Sequence, residues 1–191
     1  MEYGIHALEQ GNANKARSKF KSVLKMYKDQ PDALHLLGIA EHKCGQNLRA
    51  IQCIRKAVRV SYANVQYLNN LGQIEVAAGR LEDAVDTYLK ALNVAPDQVE
   101  VLNNLANALA KSNRAIEAIN YLERARQIAP RYLPSAYNLS RIYLQEKEFA
   151  KTVSLCEAIL ATDERYPDVR TTLGLAYHRV NRSEYGIKTL R

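Results

Sequence analysis

The pair Leu71-Gly72 recurs 34 residues earlier as Leu37-Gly38, and this register runs through the chain without insertion or deletion. One period before Gly38 stands Gly4, and later periods give Leu105-Ala106, Leu139-Ser140 and Leu173-Gly174. A fixed period of this length in helical sequence leaves a chain few options. Each repeat is a helix–turn–helix unit too small to bury its own core, so the units must stack as a solenoid.

A second small position keeps the same register at Ala16, Ala50, Ala84 and Ala118, then Thr152 and Gly186. Four residues on comes a large one: Phe20, Ile54, Tyr88, Leu122, then Cys156 and Leu190. Three further on stand Val23, Ala57, Ala91, Ala125 and Ile159. Antiparallel helices approach to about 8–10 Å only where small side chains meet, and large apolar residues at i and i+4 fill the remaining gap. Gly45 and Gly79 fall in the turn between the helices of a pair, where glycine takes positive φ without strain. Pro96 and Pro130 close second helices.

This order of small, Gly, Ala, aromatic, Ala and Pro positions resembles the tetratricopeptide repeat (TPR) family over the whole chain. The resemblance implies an all-α, right-handed solenoid of about five and a half 34-residue repeats in one domain. The repeats divide at 1–30, 31–64, 65–98, 99–132, 133–166 and a partial 167–191. Pro31-Asp32 opens the second repeat with proline at the first helical position, and Pro167-Asp168 is expected to do the same in the sixth. The fifth repeat departs from the pattern at Ser140, Lys147, Thr152 and Glu164, and is expected to be the loosest. The first helix should run from about Met1 to Leu8 and its partner from about Asn14 to Lys28. The sixth repeat stops at Arg191 without a polar capping helix, which is expected of part of a longer protein or of an end that self-associates.

No apolar run is long enough to span a membrane, and the start MEYGIHALEQ is not a secretory signal. Cys44, Cys53 and Cys156 form no CxxC and cannot all pair, which fits a reducing, cytoplasmic setting. The net charge of +7 is uneven. Up to Asn64 there are eleven basic and five acidic residues, leaving only +1 for the rest of the chain. Most of the excess lies on the second helices of the first two repeats, which face outward in this architecture. It is either a solvated convex face or an electrostatic footprint for an acidic protein, lipid headgroups or RNA. Nucleic acid is the least favoured of these, because no aromatic-interleaved basic motif accompanies the charge.

Within the TPR family, set positions of each first helix commonly face a concave groove. Carried onto this chain, the resemblance points to Asp32, His35, Ile39, His42 and Lys43 in the second repeat. In the third it points to Gln66, Asn69, Asn70, Gln73 and Val76, and in the fourth to Glu100, Asn103, Asn104, Asn107 and Lys111. The fifth offers Tyr137, Asn138, Arg141, Leu144 and Gln145, and the sixth Thr171, Thr172, His178 and Arg179. Of these, Asn69, Asn70, Gln73, Asn103, Asn104, Asn107, Lys111, Tyr137, Asn138 and Arg141 form the expected partner-binding set.

Asn70, Asn104 and Asn138 occupy one position in successive repeats. An amide can pair with a peptide C=O and N–H together. Neighbouring first helices about 10 Å apart would then meet roughly every third residue of an extended ligand rising about 3.3 Å per residue. The ladder resembles that in the TPR region of O-linked N-acetylglucosamine transferase. The alternative is that each asparagine bonds a neighbouring helix. A chaperone-type carboxylate clamp is not expected: Asn103, Asn107 and Asn138 match its asparagines, but Asp168 and Thr172 stand where cations are needed.

His35 and His42 lie two helical turns apart, too far for one metal, and no HExxH, GxSxG or phosphate-binding loop occurs. The sequence therefore implies a non-enzymatic interaction scaffold that needs no cofactor and captures an extended segment of a protein partner. The second reading is the recognition arm of a longer glycosyltransferase or sulfotransferase, with catalysis beyond Arg191.

Overall fold

The computed structural model describes residues 1–180, and within them every regular element is an α-helix. The helices are α1 (Glu2–Glu9), α2 (Ala13–Met26), α3 (Pro31–Lys43), α4 (Asn47–Val60), α5 (Val65–Ala77) and α6 (Leu81–Val94). They continue as α7 (Val99–Lys111), α8 (Ala115–Ile128), α9 (Leu133–Gln145), α10 (Phe149–Thr162) and α11 (Val169–Arg179). This is the all-α helix-pair pattern that the 34-residue period demands. The register positions Gly186 and Leu190, the second helix of the sixth repeat and the C-terminal end lie outside the described residues.

Backbone contacts divide the chain into two compact units, Met1–Pro96 and Asp97–Arg191. In the first, each helix packs on the next and α3 touches α5; in the second, α9 touches both α7 and α11. The first helices α3 and α5 of the first unit, and α7, α9 and α11 of the second, therefore lie side by side.

The small-to-large pattern is the packing rule of the helix pairs. A Cβ added at Gly38 would lie 2.4 Å from Ile54 Cγ1, and one at Gly72 would lie 2.5 Å from Tyr88 Cε1. Glycine is required there because the next helix's large side chain occupies the space. Ile54 and Tyr88 are fully buried, as are Ala50, Ala57, Ala84 and Ala91 on the same helices. In the second unit the small positions are Ala106 and Ser140 and their counterparts are Leu122 and Cys156, again with all four at 0% exposure. Apolar environment pushes the Cys156 thiol pKa up, so it is a packing residue.

Helix ends follow local chemistry. Asn12 and Asn64 cap α2 and α5, their side chains accepting from Lys15 N and Tyr67 N at 3.1 Å. The inter-helix turn requires positive φ once per repeat. Gly45 (φ 76°) and Gly79 (φ 74°) supply it, but Asn113 (φ 60°) and Lys147 (φ 63°) hold the same register without glycine. Pro31 begins α3 as expected. Pro167-Asp168 does not repeat this: α11 starts at Val169, because Asp168 takes a left-handed conformation (φ 61°) that belongs to a turn. The second helix also ends earlier than the expected Lys28, at Met26, where Tyr27 leaves helical geometry (φ −128°, ψ 81°).

The basic second helices differ from a purely solvated face. Glu41 and Glu75, one period apart, are 2% and 0% exposed. Lys21 Nζ lies 2.9 Å and Arg17 3.6 Å from the Glu41 carboxylate. Arg55 lies 2.6 Å from Glu75, which also accepts from Thr87 Oγ1 at 2.7 Å. Three of the excess cations thus neutralise carboxylates that burial would otherwise make costly.

Candidate functional site

In the first unit the expected groove residues lie on α3 and α5. Asn70 Nδ2 donates to His35 Nε2 at 2.9 Å, which fixes the His35 proton on Nδ1. The His35 ring stacks on Tyr67, with centroids 4.5 Å apart, and the Tyr67 hydroxyl donates to Asp32. A chain of polar contacts therefore ties the two first helices together. Burial lowers the His35 pKa to about 4, against the opposing pull of the Asp32 carboxylate, so the ring is a neutral acceptor. Burial, together with the Asp32 hydrogen bond and charge, raises the Tyr67 pKa to about 12. His42 points to the helix-pair turn instead, its Nδ1 lying 2.7 Å from Asn47 Oδ1. Asn69 is buried, Asn70 half-buried and Gln73 exposed.

In the second unit α7 and α9 enclose a shallow hollow of about 120 Å³. Asn107, Lys111, Asn138, Arg141 and Gln145 supply its polar wall, and Ala110 and Ile142 its apolar floor. Four of the ten expected partner-binding residues converge here. The Arg141 guanidinium also sits 5.9 Å from the centroid of the Tyr137 ring, and Tyr137 meets Tyr166 at 5.6 Å. Asn138 Nδ2 donates to Asn103 Oδ1 at 2.9 Å, so Asn103, which is 7% exposed, supports Asn138 from beneath. Asn104 is half-buried on the same helix as Asn103.

The ladder position thus spends part of its hydrogen-bonding capacity inside the protein. Asn70 and Asn138 each donate one N–H to the preceding first helix. Each amide keeps a second N–H and its oxygen, which is enough for one further pair. Sequence reading did not identify Ile142 and Ala110 as the floor of the hollow, although their place between polar positions on one helix face could have marked them. Glu41 and Glu75 are charged residues in apolar surroundings, and their pairing with cations twenty residues earlier was the available signal.

Three tetratricopeptide repeat models match the chain, over residues 31–64, 62–131 and 109–173. No curated protein matches it in sequence. Among solved structures it is similar to PilW, a widely conserved type IV pilus biogenesis factor. That match has TM-score 0.88 and 15% identity, covering 98% of this chain and 87% of the other. It is similar to MamA, with TM-score 0.75, 21% identity and coverages of 85% and 89%. It is also similar to YrrB, described as a TPR protein with an unusual peptide-binding site, with TM-score 0.69, 18% identity and coverages of 90% and 88%. These identities speak to the fold. With consecutive family matches running from residue 31 to residue 173, the chain belongs to the tetratricopeptide repeat family.

Proposed function

We propose that this chain is an interaction scaffold whose first-helix surface in the second unit receives an extended segment of a protein partner. The hollow between α7 and α9 carries the proposal. Its wall combines two exposed cations, Lys111 and Arg141, with the amides of Asn107, Asn138 and Gln145. Amides can pair with a peptide backbone whatever its side chains, and cations prefer a segment that carries carboxylates. Support from Asn103 and from Tyr137 restricts the motion of Asn138 and Arg141, so less ordering entropy is lost on binding. The similarity to YrrB gives independent support, since that protein of the same fold has a peptide-binding site.

The test is selection of displayed peptides on the wild type, followed by titration of the selected peptides against Asn107→Ala, Lys111→Ala, Arg141→Ala combined. Thermal melts would establish that both proteins fold. Peptides that bind the wild type and are lost by the folded variant support the hollow as the site. Equal affinity for both proteins excludes it.

A further inference from the structure

The second helices α2 and α4 carry nine cations, Lys15, Arg17, Lys19, Lys21, Lys25, Arg49, Arg55, Lys56 and Arg59, and no carboxylate. The next second helix, α6, reverses the balance with Glu82, Asp83 and Asp86 against Lys90. A face that only needed solvation would mix the signs. Arg17, Lys21 and Arg55 are engaged by Glu41, Glu75 and Asp83. The other six are exposed, and among the described residues the ion pairs of these two helices are confined to the three just named.

The C-terminal ends of the same helices expose apolar surface beside these cations. Met26 is 77% and Tyr27 63% exposed between Lys25 and Lys28, and Val60 is 53% and Tyr62 62% exposed just after Arg59. The two helices lie close together. Leu24 of α2 and Val58 of α4 pack against the same core cluster, and Lys21 and Lys56 both act electrostatically on Cys53.

We propose that this α2/α4 face docks on an anionic lipid bilayer. Lysine and arginine are drawn to a negatively charged leaflet within about one Debye length, some 8 Å at physiological salt. Tyrosine is at home at the headgroup level, and Met26 and Val60 gain by leaving water for the acyl boundary. A nucleic acid would neutralise the same cations but offers these two aliphatic side chains nothing comparable. The contact is peripheral, since no helix among the described residues is long and apolar enough to cross a membrane.

The experiment is sedimentation of the protein with vesicles of phosphatidylcholine alone and of phosphatidylcholine mixed with phosphatidylserine, at low and physiological salt. The wild type should pellet with the mixed vesicles only. Lys25→Glu, Lys28→Glu, Lys56→Glu and Arg59→Glu combined should lower that partition at least tenfold, with helical circular dichroism unchanged. Met26→Ser with Tyr62→Ser should remove mainly the part of the binding that survives physiological salt. Failure to pellet with the mixed vesicles at low salt overturns the proposal, and so does equal partition of the charge-reversed variant. It is also overturned if the protein ignores the vesicles but retards an RNA or DNA oligomer in the same buffer.

Discussion

Asn138 donates through Nδ2 to Asn103 Oδ1 at 2.9 Å, and Asn70 stands in the same relation to His35, in each case across thirty-five residues of sequence. The two bonds join successive first helices inside each unit, so the repeated asparagine helps set the surface on which a ligand would lie. Under the proposed function, structural and recognition roles would coincide in one side chain.

That coincidence separates the effects of two substitutions. Asn138→Ala leaves the buried Asn103 oxygen without its donor and should cost about 1–2 kcal/mol of stability as well as peptide affinity. Asn107→Ala removes a half-buried amide at the wall of the same hollow and should change stability by less than about 0.5 kcal/mol. Urea denaturation of both variants, read beside peptide titration, checks the pair. Equal stability losses would show that Asn138 does not act through Asn103.

His35 makes the first unit sensitive to acid. Its pKa is about 4 in the fold and near the ordinary 6.5 in the unfolded chain. Between those values the unfolded chain binds more protons, so stability rises with pH across the window. It should be undiminished above about pH 6.5 and fall as pH drops toward 4, by an amount on the order of 2–3 kcal/mol. His35→Gln keeps an acceptor for Asn70 and cannot titrate. Denaturant midpoints measured across this window should therefore vary less in the variant than in the wild type.

Much of the fold was legible because it is carried by side-chain size at fixed spacing, which sequence displays directly. Leu71-Gly72 and Ala84 with Tyr88 announce a close helix contact by their sizes alone. The beginning of α11 was hidden because Pro167-Asp168 reads like Pro31-Asp32, and only the backbone shows Asp168 at φ 61°. The candidate site was read as positions, and positions do not state availability. Asn69 and Asn103 sit in the expected register yet are buried, since a helix face is broad and register alone does not state depth. The charge pattern concealed two functions in one run, because Lys21 and Arg55 serve buried carboxylates while Lys25 and Arg59 meet solvent.

The turn register supplies a stabilising change. Lys147 holds a left-handed conformation (φ 63°) at the position where Gly45 and Gly79 take it without strain. Lys147→Gly should therefore stabilise the protein by about 1 kcal/mol, while Gly79→Ala should destabilise it by about as much. Thermal unfolding of both variants decides this. A lower melting temperature for Lys147→Gly would mean that chain entropy outweighs the relieved strain.

Pairs twenty residues apart show how one architectural position accepts opposite chemistry. Lys21 and Arg55 face Glu41 and Glu75 in the first unit, whereas in the second unit Tyr143 donates to Glu123 at 3.3 Å and Tyr177 donates to Glu157. The acid has moved from the first helix to the second, and a hydroxyl has replaced the cation. Arg55→Leu alone strands the buried Glu75 carboxylate with Thr87 as its remaining close donor, and should cost about 3–5 kcal/mol. Adding Glu75→Leu removes the stranded charge, and the repeat itself carries leucine at both corresponding positions one period on, Leu89 and Leu109. The double variant should therefore recover most of the loss, giving a coupling of more than about 2 kcal/mol in a double-mutant cycle. Additive losses would instead mean that the pair contributes through packing of its methylene groups, with its charges independent of each other.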